Sequence, residues 1–186
     1  MSDSSVVPTI ETPRTILRAF NGDEAGALQA ILAEPGVLRY FPSSTPPEVE
    51  RVARIIASQW KHWDERGYGW WAVEEKNTGK LMGWSGLGYL DESDETEIKY
   101  LFGRSFWGQG FATESSLVGI EYAFNQTVVE TVIGLTHLEN FASQRVLKKL
   151  GLSFRNQAEY FGMQCRRFTI TREEYVALGR PGLHGV

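Results

Sequence analysis

Cysteine is nearly absent: the 186-residue chain holds one, Cys165. A single thiol closes no intramolecular disulfide and builds no cysteine-rich zinc site, which suits a reducing compartment such as the cytoplasm. Long apolar runs are missing too. No window nears the ~20 consecutive apolar residues of a membrane span, and the opening MSDSSVVPTIETP has neither the basic head nor the apolar core of a signal peptide. A membrane is therefore not an expected partner. Nor is there an excess of positive charge, since 19 Lys and Arg face 23 Asp and Glu for a net charge of -4. With no basic cluster, nucleic acid is not an expected partner either. The three histidines are scattered and no metal site is expected. No repeat, low-complexity run or linker divides the chain. Residues 1–186 read as one domain with a core over about 12–171 and loose ends at 1–11 and 179–186.

What is present is apolar material, 42% hydrophobic with six tryptophans, enough for a core and an aromatic-walled pocket. RTILRAF at 14–20 reads as a strand, followed by a helix capped near Asn21 and closed near Pro35 and Gly36. A second helix over 47–66 carries Val52, Ile55, Ile56 and Trp60 at helical spacing and stops at Gly67. Three strand-like segments at 69–75, 80–90 and 96–103, separated by NTG and DESD, form an antiparallel meander. A helix over 110–125 and a strand over 128–137 follow. Asn140 then caps a helix whose face is Ala142, Val146, Leu147 and Leu150, with Gly151 at its end. LSFRNQAEYF and MQCRRFTITR make a closing hairpin around Phe161 and Gly162. The order is mixed α/β, with strands in neighbouring runs rather than strict alternation.

The segment WGQGFA at 107–112 sets two glycines at a helix entrance. Glycine costs a helix about 1 kcal/mol relative to alanine, so the pair serves either a tight turn or the close approach of something to the backbone. A helix N-terminus offers unpaired N–H groups to an anion such as a pyrophosphate. Two familiar phosphate loops fail here: no lysine follows the second glycine, as a Walker loop requires, and Thr113 stands where a dinucleotide fingerprint needs a third glycine.

Trp107, Gly108, Gln109, Gly110, Phe111 and Ala112 match the central Gln/Arg-x-x-Gly-x-Gly/Ala motif of the GNAT superfamily of N-acetyltransferases in its WGxGxA variant. TEIKYLF before it resembles the Glu-Ile-Gly-Tyr strand of the ribosomal-protein N-terminal acetyltransferase (RimJ/RimL-like) branch. NFASQRVLKKLGL after it resembles the same branch's Asn-x-x-Ser helix, and TPRTILRAFNGDEAGAL its opening. The resemblance covers about 12–171. It implies a GNAT fold: a mixed, mostly antiparallel sheet of about seven strands with about four helices and a splayed parallel strand pair.

The resemblance further implies acetyl-CoA as cosubstrate. Its pantetheine arm would lie between the strands that hold Tyr100, Leu101 and Phe102 and residues 128–137, and its pyrophosphate on the amides of Gly108 to Ala112, with Gln109 or Arg104 at the edge. Glu97 would take the proton of an attacking amine, directly or through water, and backbone N–H groups near Tyr100 and Leu101 would hold the oxyanion. Asn140 would bond the pantetheine amides and Ser143 would serve the leaving thiolate.

Two positions depart from the pattern. The tyrosine that many members carry seven residues after the asparagine is Leu147, and Lys99 replaces the branch's glycine. Each candidate has a plainer alternative: Glu97 a solvated strand end, Asn140 a helix cap, Ser143 a first-turn residue, Tyr100 a core residue. His62 and His137 read as surface or packing histidines, and Trp60, Trp63, Trp70, Trp71 and Trp84 as core before pocket. The implied function is N-acetyl transfer to a primary amine, a protein N-terminus or a small molecule, in a ternary complex. Two rivals stand beside it: an acyl-CoA sensor without catalysis, and a nucleotide-binding domain. The final hairpin is a possible homodimer edge.

Overall fold

The structure, a computed structural model, describes residues 7–179. In chain order the elements are β1 (Ile10–Glu11), β2 (Thr15–Arg18), α1 (Ala25–Leu32), α2 (Val49–Arg66), β3 (Trp70–Glu75), β4 (Lys80–Leu90) and β5 (Glu95–Phe102). A short 3-10 turn, Arg104–Phe106, leads to α3 (Phe111–Gln126), β6 (Thr131–His137), α4 (Phe141–Lys149), β7 (Ser153–Tyr160), β8 (Met163–Thr171) and α5 (Arg172–Ala177). The eight strands form one sheet in the order β1-β2-β3-β4-β5-β6-β8-β7, antiparallel throughout except for β5 and β6. The expected meander is β3-β4-β5, joined in register from Trp70↔Gly86 to Gly83↔Phe102.

Four local expectations are corrected. Residues 10–11, placed in a loose tail, form β1 against β2, while residues 1–6 and 180–186 of the two expected tails lie outside the described residues. A fifth helix follows β8, because the Thr171 hydroxyl accepts from the Glu174 N–H (3.1 Å) and the Glu174 carboxylate accepts from the Thr171 N–H (2.9 Å), a closed capping box. Helix α1 begins at Ala25 rather than at Asn21, whose side chain caps nothing there. Glu24 instead turns back to accept from the Asn21 N–H (2.6 Å) and to pair with Arg18 (2.7 Å). On α4 and its C-cap the expected face holds at Val146, Leu147 and Leu150, which pack into the core, but Ala142 is exposed and Gln144 is buried in its stead.

Side-chain alternation splits the core across the sheet. On one face Ala72, Trp84 and Leu101 pack with Leu28 and Ile31 of α1 and Val52 and Ile56 of α2. On the other, Val73, Met82, Ile98 and Phe102 pack with Val118 and Phe124 of α3 and Leu147 of α4. Trp63 and Trp71, both almost fully buried, meet edge to face at 4.9 Å, and Trp60 is 41% exposed.

Candidate active site

Strands β5 and β6 run parallel but pair only through Thr96↔Val132 and Glu97↔Ile133 among the described residues. Beyond that point they part, leaving a gap through the sheet. Alternation along β5 sends Glu97 and Lys99 to the face of α1 and α2, and Ile98 and Tyr100 to the face of α3 and α4. A cavity of about 340 Å³ occupies the gap and is lined from both faces.

On the α4 side the walls are Tyr100, Asn140, Ser143 and Leu147. Asn140 caps α4, its side-chain oxygen accepting from the Ser143 N–H at 3.1 Å, which fixes Ser143 in the first turn. The Ser143 hydroxyl shares a 2.8 Å hydrogen bond with the Tyr100 hydroxyl, and burial pushes the Tyr100 phenol up. Leu147 takes the tyrosine's expected place as a buried side chain against β6: a Cβ on Gly134 would stand 2.4 Å from its Cδ2.

On the opposite side stand Glu97, Lys99, Trp70, Trp84, Tyr40 and Phe41. Glu97 is 5% exposed. Burial pushes its carboxyl up, against the opposing pull of Lys99 and of a hydrogen bond from the Leu135 backbone N–H. The Lys99 ammonium sits 3.0 Å from Glu97 Oε2 as an ion pair, without the angle of a hydrogen bond. Trp70 and Trp84 stack at 4.0 Å with an interplanar angle of 5°, making a flat aromatic wall. His137 stacks on Tyr40 at 5.3 Å. His62 lies outside the cavity, edge-on to Tyr68.

The glycine loop is a separate feature beyond the end of β5. Gly108 and Gly110 have φ of 73° and 86°, left-handed values that answer the first question about the pair: the turn itself requires them. A Cβ on Gly108 would meet nothing within 4 Å, so the loop's surface is open there. Trp107 donates its indole N–H to the Phe102 carbonyl (2.7 Å), and the Gln109 amide donates to the Ser105 carbonyl (2.6 Å). Arg14 ties the loop down, donating to the Gln109 carbonyl (3.0 Å), pairing with Glu114 (2.6 Å) and lying 4.1 Å over the Phe111 ring. The side chains of Leu101, Phe102 and Phe111 are buried, so a ligand can reach these residues through main chain only.

The sequence profile of the family described as "Acetyltransferase (GNAT) domain" matches residues 14–153. The chain belongs to the GNAT acetyltransferase family. It is 30% identical over 151 residues to the uncharacterized protein YkkB of Bacillus subtilis, covering 77% of this chain and 84% of that one. The uncharacterized N-acetyltransferase YoaA of the same organism is 28% identical, with 77% and 82% covered. Among solved structures, RimL, a ribosomal alpha-N-protein acetyltransferase in complex with coenzyme A, superposes with a TM-score of 0.75 over 88% of this chain and 98% of that one at 16% identity. The GNAT fold, with its one parallel pair, is therefore the fold of this chain, and N-acetyl transfer is its enzyme class.

Of the sequence-derived candidates, Glu97, Tyr100, Asn140 and Ser143 meet at the cavity, whereas residues 107–112 lie apart from it. Sequence reasoning missed Tyr40, Phe41, Phe161 and Met163, and read His137 and Cys165 only as packing and redox features. Loop 40–42 and the hairpin tip carry no local signal that they converge on β5.

Proposed function

We propose that the protein transfers the acetyl group of acetyl-CoA to a primary amine by direct attack within a ternary complex. The observation that carries this reading is the cavity through the parted strands, with a buried carboxylate on one wall and a Tyr100–Ser143 hydroxyl pair on the other. Two reactants that enter from opposite faces can meet there without a covalent relay.

Glu97 takes the proton that the acceptor's ammonium must lose, and its raised pKa brings it nearer that task. Backbone N–H groups near Tyr100 and Leu101, on the part of β5 without a β6 partner, hold the developing oxyanion. Ser143, fixed by Asn140 and Tyr100, supplies the proton for the departing thiolate. The open amides from Gly108 to Ala112 hold the pyrophosphate at the N-terminus of α3. Burial pushes the Cys165 thiol up, which keeps it neutral and a poor nucleophile, in keeping with direct transfer. The acceptor is a protein N-terminus, as for the RimJ/RimL-like branch, or a small-molecule amine.

The test begins with the thermal midpoint in acetyl-CoA, CoA, ATP and NAD, each added separately. A ligand at 100 times its dissociation constant stabilises by ~2.7 kcal/mol, a rise of several degrees. A rise with acetyl-CoA and CoA alone, and amine-dependent CoA release that falls in Glu97→Ala and Ser143→Ala, is the expected result. No rise with either CoA species would overturn the reading.

A further inference from the structure

Resting on the reading above that a primary amine is the acceptor, we propose that this amine is a free α-amino acid with an apolar or aromatic side chain, bound as a zwitterion by Glu97 and Lys99. The two charges of the site stand side by side, Lys99 Nζ 3.0 Å from Glu97 Oε2, on the cavity wall opposite Tyr100 and Ser143. An alkylammonium brought to Glu97 also comes up against the Lys99 ammonium and is repelled. A zwitterion is not. Its ammonium and carboxylate are separated only by Cα, a spacing close to that of the ion pair, so the ammonium can lie on Glu97 while the carboxylate lies on Lys99.

A second observation points to the same carboxylate. The indole N–H of Trp70 is buried and donates to nothing among the described residues. It sits beside the lysine stem: a Cβ placed on Gly88 would lie 3.2 Å from Lys99 Cδ and 3.6 Å from Trp70 Nε1. A buried donor without an acceptor carries a desolvation cost that an incoming carboxylate removes. Glu97 Oε2, which Lys99 holds as an ion pair, is the matching acceptor for the ammonium.

The walls set the side chain. The Trp70–Trp84 stack and the Phe161 ring, whose centre lies 5.3 Å from Lys99 Nζ, form an apolar recess on the Glu97–Lys99 side of the cavity. In the reaction the ammonium gives one proton to Glu97, the amine nitrogen bonds to the acetyl carbonyl carbon, the C–S bond breaks, and the second proton shed by the nitrogen balances the one that Ser143 gives to the departing thiolate, so that CoA leaves as the thiol. The product has lost its positive charge, so its hold on Glu97 weakens and release follows.

The experiment compares L-phenylalanine, L-phenylalaninamide and phenethylamine as acceptors, following CoA release and product mass. The amide's amine is the least basic of the three, so reactivity alone favours it. The expected result is a kcat/KM at least tenfold higher for phenylalanine than for either analogue, expressed mostly in KM. Lys99→Met should bring the ratios to about one, Lys99→Arg should retain them, and W70F should lower them several-fold. Equal or better use of the amide or phenethylamine, ratios unchanged in Lys99→Met, or acetylation of a peptide N-terminus but not of phenylalanine would each overturn the zwitterion and leave acetyl transfer standing. No CoA release with any of these amines despite a thermal shift with acetyl-CoA also overturns the zwitterion. Loss of the acetyl-CoA shift itself overturns acetyl transfer.

Discussion

The hydroxyls of Tyr100 and Ser143 lie 2.8 Å apart, joining the stretch of β5 that has no β6 partner to the first turn of α4 along one wall of the cavity. Leu147 leaves no phenol on the second turn of that helix, and the phenol that reaches the site comes from the strand instead. If Ser143 gives its proton to the thiolate, Tyr100 orients and resupplies it.

Removing either hydroxyl should therefore slow turnover more than it weakens binding. Y100F is expected to lower kcat by about tenfold and Ser143→Ala by about 10²-fold, in the range of a displaced proton donor. The double variant should be no worse than Ser143→Ala alone, since both act through one proton path. Because burial raises the Tyr100 phenol above its ordinary pKa, no loss of kcat from its ionisation should appear below pH 10. Stopped-flow CoA release across pH checks both points.

Glu97 supplies a pH dependence with a definite sign. Its carboxyl is raised by burial, so kcat/KM should fall on the acid side with a midpoint above the ordinary carboxylate value of 4.5. For stability, a carboxyl with a raised pKa binds more protons in the folded state, so its charge opposes folding as pH climbs from 4.5 toward the folded value. The thermal midpoint of Glu97→Gln relative to the unaltered protein should consequently rise across that window and then level off. The gain is about 1.4 kcal/mol for each pH unit between the two values, or about 3–6 °C in a chain of this size. A flat difference from pH 4 to 8 would exclude a displaced Glu97.

Much of the frame was legible because it rests on local chemistry. Asn140 as a cap, Gly67 at the end of α2 and the glycine pair before α3 are dictated within a turn of chain. β1 escaped notice because two residues carry no periodicity, and α5 because its Thr171–Glu174 box continues a strand-like run. Tyr100 is the instructive case: the family resemblance set it beside the cofactor, whereas its own place in the strand read as core. Alternation groups it with Ile98 and Phe102, and these do share the α3–α4 face, but alternation cannot say that β6 departs just there and turns a core position into a cavity wall. Tyr40 and Phe161 sit on separate loops and His137 at the end of β6, and nothing local in the sequence says that the three converge.

Arg14 is the residue through which the start of the chain controls the glycine loop. It holds the Gln109 carbonyl and Glu114 while its guanidinium covers Phe111. The ion pair is partly exposed and contributes only ~1 kcal/mol or less to folding. The loop amides, in contrast, depend on it for their aim. R14A should weaken CoA binding by about five- to tenfold while lowering the thermal midpoint by only a few degrees. Isothermal titration with CoA separates the two, and unchanged affinity would mean that the loop keeps its shape unaided.

Phe161 sets stability against function at a single position. It occupies the first place of the two-residue turn between β7 and β8 with φ of 54°, followed by Gly162 at 72°, a pair of left-handed residues. Such a turn favours Asn-Gly, and a phenylalanine there costs roughly 1–2 kcal/mol. The same ring lines the cavity above Lys99. F161N should then raise the thermal midpoint by a few degrees and, with the aromatic wall gone, raise the acceptor's KM several-fold without changing affinity for CoA. A variant more stable yet unimpaired in KM would mean that the ring is not part of the acceptor wall. One less stable would mean that its packing outweighs the strain of the turn.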